Sequence, residues 1–509
     1  MKIRFKAKVI DLFSRERAVV VSSKDAEKAD LRSFDRVKLT ADETTITAML
    51  YLSDKLTQDG TVRVSQELAS DAGITDGDIV SVALAPRPQS VTLIKSKMKG
   101  ATLSKADMGT IIQDIVRGNI GPMETLAFAM AQKYVGMNDD ETEFLTRALV
   151  DTGDALEFDS PAYDKHSIGG VPGNKVSLLI VPIVASAGLL IPKTSSRAIT
   201  SPTGTADTME VLAQVEFTAS ELKEIARKTN GAIAWGGMLN LAPGDDMIIR
   251  AESVVGIDPE SQMLASILAK KMAAGVRNLV LDIPTGKGAK VETMEEAVSL
   301  ANRFIDLGRR LGIQVRCGVT YGGQPIGHAI GPALEAKEAL EALTGDGPSS
   351  LIEKSVSISG LILEMGGTAP AGRGYEVARE ILKSGRAFDK MKEIIEAQGG
   401  DSRVKPEEIT VGDHRHTLYA PVDGYVTSVE NRVLTEMARA AGAPRDKGAG
   451  VVLHVKRGHK VRKDQKMLEI YAERSVKLQD AVNVLRRESP LILEGMLLRT
   501  VPETMFLNV

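Results

Sequence analysis

The densest group of residues able to do chemistry reads Lys165-His166-Ser167-Ile168-Gly169-Gly170-Val171-Pro172-Gly173-Asn174-Lys175-Val176-Ser177. Its glycines let the main chain approach a ligand and turn N–H groups inward. Lys165, Lys175, Ser167 and Ser177 add charge and hydroxyl donors. An apolar run follows, so the N-terminus of a helix would also face the loop. That combination holds a phosphate without a metal. The competing reading is a flexible glycine loop with incidental lysines.

A second hydroxyl-rich stretch runs Thr194-Ser195-Ser196-Arg197-Ala198-Ile199-Thr200-Ser201-Pro202-Thr203-Gly204-Thr205-Ala206-Asp207, ahead of a helix expected to contain Met209, Leu212 and Ala213. Taken alone it is a common Ser/Thr turn with a helix cap. Two such loops, each ending a strand-like run, are suited to converge on one anion. A third feature spans Asp258 to Lys271. Pro259 suits the first helical turn, Asp258 the cap before it, and Ser266 and Lys270 fall on one helix face. By itself this reads as a cap aspartate and a solvated lysine.

Two tempting motifs fail. Pro284-Thr285-Gly286-Lys287-Gly288 would need Gly at Leu281 and Ser or Thr at Gly288 to be a P-loop, which disfavours ATP hydrolysis. His414-Arg415-His416 is expected in a polar turn with no third ligand nearby, so no metal is called for.

The elements that must position these residues follow from the rest of the chain. Its 509 residues exceed one hydrophobic core, so two to four domains are expected. With 43% hydrophobic and 26% charged residues and a net charge of −3, nothing points to nucleic acid, and aromatics at 4% offer few stacking platforms. The single cysteine, Cys317, allows no intramolecular disulfide. The apolar run Val176–Pro192 is short for a membrane span and reads as a buried helix. A cytoplasmic chain with no membrane contact is expected.

Residues 1–86 alternate as short strands, with Ala85-Pro86-Arg87-Pro88 as a linker. Helical periodicity covers 104–152, with Ser104 capping the first helix and the third beginning after Asp139-Asp140. Beyond 165, short apolar runs such as Leu279–Ile283 alternate with helices such as Met294–Leu311, an α/β pattern. After about 410 the chain turns β-rich again, with Tyr419–Val426 as strand, turn and strand.

Together these residues resemble the thymidine/pyrimidine-nucleoside phosphorylase family. The resemblance is carried, in family order, by Lys165-His166-Ser167-x-Gly169-Gly170, Ser195-x-Arg197, Gly204-Thr205-x-Asp207 and Ala265-Ser266-Ile267-Leu268-Ala269-Lys270-Lys271. Gln324-Pro325-x-Gly327, Leu363-Glu364-x-Gly366-Gly367 and Gln398-Gly399-Gly400-Asp401 complete it. It implies an α/β and α+β multidomain protein of the nucleoside phosphorylase type II-like class. The domains would be a small β-rich N-terminal domain over 1–86 and a helical domain over 87–160 to which 245–276 return. An α/β phosphate-binding domain would span 165–244 and 277–405, and a C-terminal α+β barrel-sandwich-like domain 406–509. A homodimer or higher homo-oligomer is also implied, with no cofactor and no metal.

Carried over by matched position, Lys165, Ser167, Ser177, Ser195 and Thr205 would bind inorganic phosphate. Gly170, Ser196, Arg197, Ala198, Ile199, Thr200, Ser201, Thr205, Ser266 and Lys290 would contact the substrate, with Lys270 and Arg250 beside the nucleoside. Asp258 would be the general acid that protonates the leaving base. For this it needs a pKa raised by partial burial, against the pull of a helix N-terminus. Ile168 replaces the usual Thr, and Lys290 stands where the thymidine enzymes carry an uncharged residue. With the additional first domain and the Ser196–Ser201 stretch, these features match the branch acting on nucleoside 5′-monophosphates. The implied reaction is AMP, CMP or UMP plus phosphate giving base and ribose 1,5-bisphosphate, with Lys290 on the 5′-phosphate and Arg197 and Lys287 as alternates. A pyrimidine nucleoside phosphorylase is the alternative, and an anthranilate phosphoribosyltransferase-like transferase a more distant one.

Overall fold

The computed structural model describes residues 2–12, 17–198 and 201–496. Two compact units emerge, one of residues 1–153 and 242–269 and one of residues 154–241 and 270–509.

The first unit opens with six strands: β1 (Lys2–Ile10), β2 (Ala18–Val21), β3 (Arg36–Ala41), β4 (Thr44–Leu52), β5 (Thr61–Ser65) and β6 (Ile79–Leu84). They close into a barrel in the order β1-β5-β2-β4-β3-β6. The charged alternation of β1 explains its orientation, since Phe5 and Ala7 point into the barrel and Lys2, Lys6 and Lys8 into solvent. Closure leaves no free edge.

Helices follow. Lys105–Val116 is capped by Ser104, whose hydroxyl accepts from the Asp107 N–H while the Asp107 carboxylate accepts from the Ser104 N–H. Pro122–Tyr134 and Asp139–Asp151 pack beside it, and Pro243–Val255 returns to the same core of Ile111, Phe128, Leu145, Leu149 and Ile248. The third helix starts at Asp139 rather than after Asp140, because the Asn138 side chain accepts from the Glu141 N–H and so fixes the first turn.

The second unit holds β7 (Ala162–Ser167), β8 (Ile191–Ser195), β9 (Gly231–Trp235), β10 (Val276–Thr285) and β11 (Gln314–Tyr321). Strand β10 pairs in parallel with β7 and β11, β8 pairs in parallel with β9, and a parallel bridge from Ala162 to Leu190 joins the two ladders. The apolar run from Val176 forms the buried helix Ser177–Ser186 and then β8. Met294–Leu311 is an amphipathic helix capped by Thr293. The helix after the second hydroxyl-rich loop is only Thr205–Met209, so Leu212 and Ala213 lie beyond it in the core.

The C-terminal part has a four-stranded sheet, from Ala329–Ile330 through Gly450–Leu453 and Lys466–Ala472 to His414–Tyr419, and a three-stranded one containing Gly424–Val429. The two strands flanking the Tyr419–Val426 turn therefore belong to different sheets. His414 and His416 are on a strand and not in a turn, because pairing with Lys466–Ala472 extends that segment. Among the described residues, no helix is long and apolar enough to cross a membrane.

Candidate active site

Parallel strands bring their carboxyl ends to one edge of a sheet, which is where α/β folds bind ligands. Ser167 ends β7, Ser195 ends the neighbouring β8, and Thr285 ends β10. Behind these ends lies a group of buried charges. Lys165, Lys193, Lys271 and Lys354 are at most 8% exposed, and Asp164 and Asp282 are fully buried.

Asp164 sits between two of the ammonium groups. Its Oδ2 accepts from Lys271 Nζ at 2.5 Å, and its Oδ1 lies 3.6 Å from Lys193 Nζ and accepts from the Lys165 N–H at 2.6 Å. Lys271 also donates to the carbonyl and hydroxyl of Thr194 at 3.1 and 3.2 Å. Asp282 accepts from the Thr320 hydroxyl at 2.6 Å and faces Lys354 Nζ at 2.9 Å and Lys165 Nζ at 4.0 Å.

Four ammonium groups thus share two carboxylates. Burial pushes Lys165 down to about 8 even with Asp282 beside it, and Lys193 down to about 7 against the pull of Asp164. Burial also opposes ionisation of Asp282, yet Lys354 and Lys165 hold its carboxyl below the usual range. His166 is driven well below its ordinary value by burial and by the positive charge of Lys271, Lys193 and Lys165, so its imidazole is neutral at pH 7. The Ser177 hydroxyl, at the first turn of its helix, is buried without a hydrogen-bond partner. Lys354 Nζ touches Asp282 without an aligned hydrogen bond. Surplus positive charge with unused donors suits an incoming dianion.

The two loops meet other elements at close range. Gly169 and Gly170 have φ of +86° and +88°, and a Cβ on Gly170 would lie 2.6 Å from the Lys290 nitrogen. Only glycine lets the first loop rest on the Lys290 segment in this way. A Cβ on Gly204 would meet the Ser196 carbonyl oxygen at 2.6 Å, so Ser196–Ala198 folds onto the start of the Thr205 helix. Asp207 fixes that turn, accepting from the N–H groups of Ala198 and Gly204. The Ser167 hydroxyl accepts from Asn174 Nδ2 at 3.0 Å. The Ser195 hydroxyl donates to the Ser196 carbonyl at 3.2 Å, and that of Ser201 to the Thr203 carbonyl at 3.1 Å. Ile199 and Thr200 lie outside the described residues.

Other expected residues have different surroundings. Lys175 is not a donor for a ligand. Its ammonium is enclosed by the carbonyls of Ile326 and Ala329, both at 3.0 Å, and by the Glu338 carboxylate. Arg197 spends its guanidinium on Glu210 and Glu216 at 2.6–2.8 Å, lies 3.6 Å from Asp207 and stacks over Trp235. This makes it an anchor of the loop, with its charge matched inside the protein where the sequence offered it as an alternate to Lys290 for the 5′-phosphate. Lys287 pairs with Glu430 at 3.0 Å.

In the first unit, the Ser266 hydroxyl donates to the buried Asp245 at 2.6 Å, so its proton is already committed. Arg250 is exposed on Pro243–Val255, and Lys270 is half-buried one turn beyond Ser266. Asp258 precedes the helix Glu260–Ala273, which begins one residue later than a Pro259 start requires. Its side chain is exposed, not partly buried, because the segment Ser253–Asp258 lies on the surface of its unit.

Comparison with known proteins fits this architecture. Residues 91–153 match the glycosyl transferase family helical bundle domain, 159–388 the glycosyl transferase family a/b domain, and 425–491 the pyrimidine nucleoside phosphorylase C-terminal domain. The AMP phosphorylase of Thermococcus kodakarensis is 50% identical over 98% of this chain and 99% of its own length. The chain belongs to the AMP phosphorylase family. Other AMP phosphorylases agree: AMP phosphorylase 1 of Archaeoglobus fulgidus is 49% identical over 97% of this chain and 98% of its own, and that of Methanosarcina mazei 48% over 96% of each. Among solved structures, anthranilate phosphoribosyltransferase from Thermus thermophilus is similar at 19% identity and TM-score 0.49, over 60% of this chain and 99% of that one.

For a member of the AMP phosphorylase family, the sequence motifs omit much of the buried charge. Asp164, Lys193, Asp282 and Lys354 were not among the expected site residues, and Lys271 and His166 entered only as parts of motifs. One signal was present: Asp282 is a charged residue inside the otherwise apolar run Leu279–Pro284, where an isolated charge is costly.

Proposed function

We propose that the chain catalyses phosphorolysis of nucleoside 5′-monophosphates, with AMP as the principal substrate and CMP and UMP as further ones. The products would be free base and ribose 1,5-bisphosphate. The observation that carries this reading is the charge imbalance behind the carboxyl ends of β7, β8 and β10, where four buried ammonium groups meet two carboxylates. A phosphate dianion supplies the missing negative charge, and burying unmatched cations otherwise costs several kcal/mol per ion.

In this mechanism Lys165, Ser167, Ser177, Ser195 and Thr205 bind the attacking phosphate, with Lys193 and Lys354 supplying further charge. Asp164 and Asp282 keep the lysines oriented. The sugar passes through a cation-like state as phosphate enters on one face and the base leaves on the other, so catalysis rests on positioning and on neutralising the base. Asp258 is assigned proton transfer to the leaving base. Being exposed in the free chain, it needs enclosure by bound substrate to act as an acid. Lys290 is assigned the 5′-phosphate, since its main chain lies against Gly170 of the first loop. Ser266, Lys270 and Arg250 are assigned to the nucleoside. A homo-oligomer working in the cytoplasm belongs to the same reading.

The test is release of free base from AMP, CMP, UMP, adenosine and thymidine, each with and without inorganic phosphate. Phosphate-dependent release from the monophosphates, AMP first, is expected. Release from thymidine but not AMP would overturn the reading.

A further inference from the structure

Within the first unit, the barrel and the helices that follow it line an open cleft of about 730 Å³, in the size range of sites for small organic ligands. None of its lining belongs to the lysine–aspartate cluster. Three cations border it, Arg17 and Lys38 from the barrel and Arg117 from the end of helix Lys105–Val116.

Arg17 is held in place. Its Nε and Nη2 reach Asp71 at 2.9 Å, and its Nη1 donates to the Arg117 carbonyl. Gly118, with φ of +69°, lets this arginine pass, since a Cβ there would lie 3.3 Å from Arg17 Nη1. Among the described residues the one carboxylate in the lining, Asp114, accepts from Asn119 Nδ2 at 2.9 Å. Lys38 and Arg117 have no side-chain hydrogen bond or ion pair among the described residues. The wall is mixed, with Ile46 and Pro86 apolar and Thr47 able to donate a hydroxyl. Two uncommitted cations and one fixed arginine, with Pro86 and Pro88 in the same lining, suit a molecule with an anionic end and a flat or apolar body.

The geometry points to a second ligand site here, for a phosphate-bearing molecule of mononucleotide size held between barrel and helices. Its phosphate lies on Lys38 and Arg117 and its body against Pro86 and Pro88. A ligand so placed ties the N-terminal barrel to the helices and gives that barrel a binding role.

The test uses the full chain in phosphate-free buffer, carrying Lys165→Ala so that the lysine–aspartate cluster is impaired. Calorimetric titration with AMP is expected to show two sites, the one assigned to Lys290 and a second that adding Lys38→Glu and Arg117→Glu weakens more than tenfold. Ribose 5-phosphate and inorganic phosphate, titrated in parallel, tell whether the whole nucleotide or its phosphate alone is held, and adenosine is expected not to bind at the second site. Thr47→Glu, which places negative charge on the wall while keeping both cations, is expected to weaken AMP alike, and thermal unfolding confirms that each variant is folded. A second AMP site unchanged by these substitutions, equal binding of adenosine there, or a single AMP site in the Lys165→Ala chain would overturn the proposal. Failure of the wild-type chain to release base from AMP with phosphate present would instead count against the phosphorolysis reading, leaving this test intact.

Discussion

Two buried lysines in the second unit come from the same glycine-rich motif and have opposite fates. Lys175 is about 1% exposed, and its ammonium meets two carbonyls and the Glu338 carboxylate. Glycines clear the space around this clasp, as a Cβ on Gly173 would lie 2.7 Å from the Ile326 oxygen and one on Gly327 2.9 Å from Lys175 Nζ. Lys165 is as deeply buried, but shares Asp282 with Lys354 and stands near Lys193 and Lys271. The first lysine is saturated and holds the fold together; the second sits in a cluster with more cations than anions. Burial of a lysine therefore does not mark function. What separates the two is whether its donors and charge are matched within the protein.

Substitution sharpens the contrast most at its extremes. Lys165→Ala is expected to lower kcat/KM for AMP phosphorolysis by about a hundredfold to a thousandfold, as loss of a preorganised charged donor does, with the thermal midpoint held or raised. Lys175→Met is expected to do the reverse. It leaves Glu338 buried without its cation, destabilising the fold by about 3–5 kcal/mol, while purified folded enzyme keeps its KM for phosphate. If both variants lost activity and stability alike, the distinction would fail. Next in size, Lys290→Ala should raise the KM for AMP more than tenfold and leave that for phosphate unchanged, as loss of a charge-assisted contact of about 1.5–3 kcal/mol predicts.

The smallest effect is on pH. Lys193 is held at about 7 in the folded chain, against 10.5 for an ordinary lysine. The unfolded chain then binds more protons between those values, so this group makes the free protein more stable as pH rises through that window. Phosphate affinity should move the other way, falling as Lys193 and then Lys165 lose their charge. Comparing wild type with Lys193→Met in unfolding and in KM for phosphate from pH 6.5 to 9, a range of about two and a half units, isolates this contribution; parallel profiles would refute it.

How far the sequence led depends on the range of the interaction. Local signals were clear: the Ser104 cap, the alternation in β1, the bounds of Met294–Leu311 and the buried strand around Leu279–Ile283 all rest on neighbours a few residues apart. Barrel closure was not legible, because β1 pairs with both β5 and β6 across distant sequence. The site shows the same limit. Lys165 and Lys175 looked equivalent within one motif, and only Asp282, Lys354 and Glu338, brought in from far along the chain, set them apart. Arg197 likewise read as a substrate contact and an alternate for the 5′-phosphate, and its ion pairs with Glu210 and Glu216, more distant in sequence, could not be seen there.

The most direct measurement is a crystal structure of the full chain with inorganic phosphate bound. Tetrahedral density within hydrogen-bond reach of Lys165 Nζ and the Ser177 hydroxyl is the predicted result. A chain that turns over AMP while its phosphate lies away from both of these groups would contradict the account.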